Sequence, residues 1–148
     1  MSSLGIIFKN AFFITFAMVA YFFFLRGFGL DNEPRLRLVN ILFILTGINN
    51  AIRNNILINL EDNYVSNLLI GVKTALVSFV FTLATLAIYI EFIQPSFIKV
   101  LRNGFFFWEN NFNLPMVILV LFMQGILVSL ILSALLMLYW KNYHNSAD

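Results

Sequence analysis

Charged residues in this chain are gathered into short clusters, and long apolar runs separate them. Between Lys9 and Arg26 lies Asn10–Leu25, between Arg37 and Arg53 lies Leu38–Ile52, and between Lys73 and Glu91 lies Thr74–Ile90. A fourth run, Asn110–Trp140, separates Glu109 from Lys141. The apolar residues are continuous and do not alternate, so the runs read as helices buried on all sides and not as barrel strands. A span needs roughly 20 residues. The first three windows hold 16, 15 and 17 residues, so the flanking charges must snorkel or face protein for each to cross. With that allowance the pattern predicts spans near 8–29, 36–58, 68–93 and 114–140.

The punctuation agrees. Gly27-Phe28-Gly29 and the run from Asp31 to Pro34 end the first helix. Glu61-Asp62-Asn63 marks the next turn. Pro95 ends the third helix, because the residue before a proline is driven out of the α region. Asn113 is a candidate cap for the fourth helix, with Pro115 in its first turn. Between the third and fourth spans, Phe97, Ile98, Val100, Leu101 and Phe105 recur near helical spacing with Lys99 and Arg102 opposite. That pattern predicts a short amphipathic helix in the headgroup layer. Tyr21, Tyr64, Tyr89, Trp108, Tyr139 and Trp140 fall near predicted helix ends, the positions of an aromatic belt. The fold class expected is therefore an all-α integral membrane protein with four transmembrane helices and one interfacial helix, in a single domain over residues 1–148.

Composition strengthens this reading. Of 148 residues, 61% are hydrophobic and 11% charged, and the mean hydropathy is +0.89. Soluble domains carry about 25% charged residues, so lipid is the expected solvent. The first apolar run has no small-residue cleavage site before Arg26, so it reads as a retained span and not a cleaved signal. Nine basic and seven acidic residues give a net charge of +2, with no dense basic patch to bind nucleic acid. Lys9, Arg53, Lys73 and Lys141 fall on one side of the expected topology; Arg26, Arg35, Arg37, Lys99 and Arg102 fall on the other. That split does not set the orientation by the positive-inside rule.

The polar residues inside the spans are the candidates for chemistry. On the second helix Thr46, Asn49, Asn50, Arg53 and Asn54 recur at helical spacing and share one face. Asn40 lies near its edge, while Asn55 and Asn59 lie elsewhere. An arginine within a span is expensive, by roughly 2.5–3.5 kcal/mol on insertion scales, so it must face protein, a wet cavity or the headgroups. The face therefore reads as a polar conduit or anion site, as hydrogen-bonded glue between helices, or as a helix end already at the interface. On the third helix Thr74, Ser78, Thr82, Thr85 and Tyr89 form a hydroxyl stripe suited to back-bonding or packing. On the fourth, Gly125, Ser129 and Ser133 form a small-residue seam at four-residue intervals, with Gln124 beside it; such a seam lets two backbones approach.

Catalytic patterns are missing. The chain has no Cys and a single His, His144, so a thiol nucleophile or a Ser/His/Asp order has no basis. There is no phosphate-binding glycine loop and no metal-ligand spacing, and neither cofactor nor metal is expected. The expectation is a non-catalytic polytopic protein, an accessory or scaffolding subunit of a larger membrane complex. The alternative is a small channel or transporter using the polar face of the second helix. Partners expected are membrane lipid and other membrane subunits or further copies of the chain.

The segments Arg37-Leu38-Val39-Asn40, Gly47-Ile48, Gly71 and, above all, Tyr89-Ile90-Glu91-Phe92-Ile93-Gln94-Pro95-Ser96-Phe97 carry a resemblance. Across roughly residues 36–140 the chain resembles a family of small four-span membrane proteins of unknown function, widespread in Bacteroidota. The resemblance implies a bacterial inner-membrane location, with both termini in the cytoplasm.

Overall fold

Ser2 accepts the Gly5 N–H at 3.1 Å through its hydroxyl and so caps the first helix, α1, Ser3–Gly27. This computed structural model describes residues 2–30, 33–103 and 113–145. A 3₁₀ turn over Pro34–Leu38 leads into α2, Val39–Asn59. Next come α3, Tyr64–Ile88, which continues as one π-helical turn over Tyr89–Ile93, and the short α4, Phe97–Asn103. The last helix is α5, Leu114–Asn145. Four of these helices are long and apolar enough to cross a membrane: Ser3–Gly27, Val39–Asn59, Tyr64–Ile93 and Leu114–Trp140. The chain is thus a polytopic, all-helical membrane protein with a short helix between its third and fourth spans.

The ends of the helices follow from local chemistry. After α1, Leu30 N–H bonds to the Leu25 carbonyl at 2.9 Å and Gly29 N–H to the Arg26 carbonyl at 3.0 Å. Gly29 takes φ +70°, which completes a Schellman stop at the residue best suited to it. Asn63 caps α3 by accepting from Val65 and Ser66, so that helix starts at Tyr64 and not near residue 68. α1 likewise starts five residues before the expected position, because Ser2 supplies a cap there. At the far end of α3, Gln94 leaves helical geometry ahead of Pro95, and its N–H reaches back five residues to the Tyr89 carbonyl at 3.0 Å. The ladder widens there because the next residue has no N–H to continue it.

The helices run alternately up and down, and α3 packs against each of α1, α2 and α5. One cluster at mid-height joins Ile14 of α1, Ile44, Ile48 and Ile52 of α2, Ala75 and Phe79 of α3, and Met137 of α5. A second, at one end, joins Ile6, Ile7, Ala51 and Ile70. A third, at the other end, joins Tyr89, Ile90, Phe97, Leu101 and Val117. α4 enters this last cluster through Phe97 and Leu101 and leaves Lys99 exposed, as an amphipathic connector should. Trp108 lies outside the described residues, with the rest of 104–112.

The aromatic belt is smaller than the sequence suggests. Tyr64 and Tyr139 are exposed, whereas Tyr89 is 4% exposed. Its ring packs edge-on against Phe22 and Phe97 at 5.1 and 5.6 Å, and the Arg26 guanidinium sits 5.1 Å over its face. Tyr21 and Trp140 are half-buried and hydrogen-bond to the Leu36 carbonyl and to Asn49. Position near a helix end says nothing about which way a ring faces, and these three face the protein.

Candidate functional site

The five polar residues proposed for one face of α2 divide between surface and interior. Thr46 is exposed and donates its hydroxyl to the Leu42 carbonyl at 2.7 Å, one turn back on its own helix. Arg53 is exposed. Asn50 and Asn54 are half-buried at the flank. Asn49, also half-buried, reaches across to α5: the Trp140 indole N–H donates to its Oδ1 at 3.0 Å. The face is therefore oblique to the bundle, with Arg53 outward and Asn49 bonded inward.

The most buried amide of α2 lies one step round the helix and meets one of α3. Asn55 is 2% and Asn67 1% exposed. Asn55 Nδ2 donates to Asn67 Oδ1 at 2.7 Å, Asn59 Nδ2 donates to Asn55 Oδ1 at 2.9 Å, and Asn67 Nδ2 donates to the Glu61 carbonyl at 2.7 Å. The main-chain carbonyl of Asn55 accepts from Glu61 N–H at 3.3 Å. These bonds staple the α2–α3 hairpin at its turn. Each satisfies an amide that would otherwise be stranded in an apolar interior. Sequence reasoning set Asn55 and Asn59 aside because they are off the main polar stripe. The signal that finds the pair is symmetry: Asn55 and Asn67 are each six residues from Glu61, the turn of an antiparallel hairpin.

Gly125, Ser129 and Ser133 on α5 are all buried. A Cβ added at Gly125 would meet the Phe79 ring at 3.0 Å, and one added at Gly71 of α3 would meet Ser133 Oγ at 2.9 Å. The seam thus lies against α3 inside the chain's own bundle. Ser129 back-bonds to the Ile126 carbonyl at 2.8 Å. On α3, Thr74 and Thr85 back-bond to Ile70 and Phe81, and the Ser78 carbonyl accepts the Thr15 hydroxyl of α1 at 3.3 Å. The Thr74 and Thr85 hydroxyls are thus satisfied within α3, while the buried hydroxyls of Ser78 and Thr82 have no hydrogen-bond partner among the described residues. α2 meets α1 as closely: a Cβ at Gly47 would fall on the Ile14 side chain.

Among the described residues, no group of three or more His, Asp and Glu side chains could hold a metal ion. His144 stands on the last turn of α5, where the structure describes the backbone alone. The arrangement supplies hydrogen-bonded contacts between helices and an outer wall crowded with apolar rings: Phe8, Phe12, Phe16 and Phe24 of α1 and Phe28 at its C-cap are exposed, at steps of four or eight residues. Comparison with family models, with curated proteins and with solved structures gives no match.

Proposed function

We propose that this chain is a non-catalytic accessory or scaffolding subunit of a larger assembly in a bacterial inner membrane. The observation that carries this reading is the placement of Arg53 on the outside of the bundle while Asn49 is bonded to Trp140 within it. A conduit through a single chain would need the cation on the inner wall. An outward arginine next to half-buried amides instead offers hydrogen-bond donors to a neighbouring protein or to headgroups. The phenylalanine ridge of α1 adds a broad surface for packing within the bilayer. The bacterial location, with both ends of the bundle's chain in the cytoplasm, draws its support from the Tyr89–Phe97 motif and its likeness to the small four-span family.

Purification in mild detergent, with mass spectrometry of what co-migrates, tests the proposal. Stoichiometric recovery with other membrane proteins is the expected result. A clean monomer or homo-oligomer overturns it. In that event liposome flux measurements on the wild type and on Arg53→Gln test the channel alternative, which requires the variant to lose flux.

A further inference from the structure

Cross-helix contacts put the charges that bracket the spans on a common scale. α1 and α3 run the same way: the Thr15 hydroxyl donates to the Ser78 carbonyl, and Ile6 and Ile7 share a cluster with Ile70. Lys9 is six residues before Thr15 and Lys73 five before Ser78, so the two lysines stand within about 1.5 Å of one level. From the Asn55–Asn67 pair, Arg53 lies two residues toward the middle of the bundle and Lys73 six. That puts Arg53 about 6 Å further out than Lys73. Lys9, Arg53 and Lys73 are all exposed on the outer surface.

Among the described residues the carboxylates of this end, Glu61 and Asp62, are in the α2–α3 loop. α3 begins nine residues before Lys73, so the loop lies about 14 Å beyond the level of Lys73 and about 8 Å beyond that of Arg53, at or past the ~8 Å screening length of physiological salt. The opposite end is different. There the Arg26 guanidinium is stacked on Tyr89, and Glu91, two residues on, is exposed at the same height. Among the described residues, the exposed charges on the helix walls at one rim are therefore all cationic, while those at the other are mixed. A total of basic residues per side hides this, because it ignores depth.

We propose that Lys9, Arg53 and Lys73 form a collar that binds anionic phospholipid headgroups around the end of the bundle holding the α2–α3 loop. Side chains that leave an apolar wall at this depth extend to the phosphate layer, and each cation there favours anionic over neutral lipid by about fivefold. The collar does not depend on the subunit assignment.

The test reconstitutes the full chain into nanodiscs of phosphatidylglycerol and phosphatidylcholine and measures the retained lipid by native mass spectrometry. The expected result is a several-fold enrichment of phosphatidylglycerol. It falls to the bulk ratio in the triple variant Lys9→Gln, Arg53→Gln, Lys73→Gln and persists in the charge-keeping variant Lys9→Arg, Arg53→Lys, Lys73→Arg. Replacing Arg35 and Lys99 by Gln at the opposite end should leave it in place. Retention at the bulk ratio in the wild type overturns the collar, as does enrichment that survives the triple variant or that depends on Arg35 and Lys99. Capture of an acidic protein through these three residues without lipid selectivity also overturns it.

Discussion

The side-chain amide of Asn55 donates to the side-chain carbonyl of Asn67 at 2.7 Å, joining α2 to α3 between two residues almost wholly removed from solvent. In lipid, apolar burial does little to bring helices together, so such bonds and close packing carry more of the association. Replacing Asn67 by Leu strands Asn55 Nδ2 and the Glu61 carbonyl at once. The expected loss is about 1–2 kcal/mol, read from SDS titration in mixed micelles. A double-mutant cycle with Asn55→Leu should give a coupling of about 0.6–1.7 kcal/mol; additivity would mean that the pair contributes nothing as a pair.

Gly47 sets the approach of α1 to α2. Gly47→Ala drives a methyl group into Ile14, and overpacking of this kind costs about 1–3 kcal/mol. Shortening the opposing side chain with Ile14→Ala in the same molecule should return part of the loss. Gly27, by contrast, has nothing within 4 Å of an added Cβ, and Gly27→Ala should cost nothing in the same titration. Equal effects at the two glycines would show that close approach at Gly47 is not what limits the packing.

Leu60 ends α2 in the left-handed region at φ 52°, ψ 41°, and its side chain is 79% exposed. A leucine is strained there by about 1 kcal/mol relative to glycine, the residue usual at helix C-terminal stops. Leu60→Gly therefore relieves strain and sacrifices no buried contact. The expected outcome is a stability gain of up to about 1 kcal/mol, seen as a higher melting temperature in detergent. Leu60→Val, whose branched Cβ fits this region worse, should move the melting temperature down.

The four spans were legible because lipid imposes a simple rule: the windows free of charge became the middles of the helices, which run on past Lys9, Arg26, Arg53, Lys73 and Glu91. The short α4 was legible for the related reason that Phe97 and Leu101 alternate with Lys99 at helical spacing. Capping chemistry at Ser2 and Asn63 moved two helix starts outward, since a well-placed side-chain oxygen extends a helix past its apolar run. Rotation about the helix axis was the part a single chain could not encode. Arg53 and Asn49 share a stripe, yet one faces out and the other meets Trp140, because α5 contacts only one flank of α2. Tyr89 misled in the same way: its position near a span end fits a belt, while its neighbours Phe22 and Phe97 draw it into the interior.

Tyr89 also makes a short hydrogen bond, its hydroxyl donating to Gln94 Oε1 at 2.6 Å. The bond spans the π-turn, whose own closing contact is Gln94 N–H to the Tyr89 carbonyl. Side chain and backbone thus fasten the same two residues. Tyr89→Phe removes the hydroxyl and keeps the ring, so the packing on Phe22, Phe97 and Arg26 survives. The expected loss is about 1 kcal/mol, with faster hydrogen exchange at the Gln94 amide. Tyr89→Leu removes the seat of the Arg26 guanidinium as well and should cost about 1–2 kcal/mol more. Gln94→Leu added to Tyr89→Phe should change little, since both delete one bond. If Tyr89→Phe leaves exchange at Gln94 unaltered, proline alone holds the turn and the side-chain bond is incidental to it.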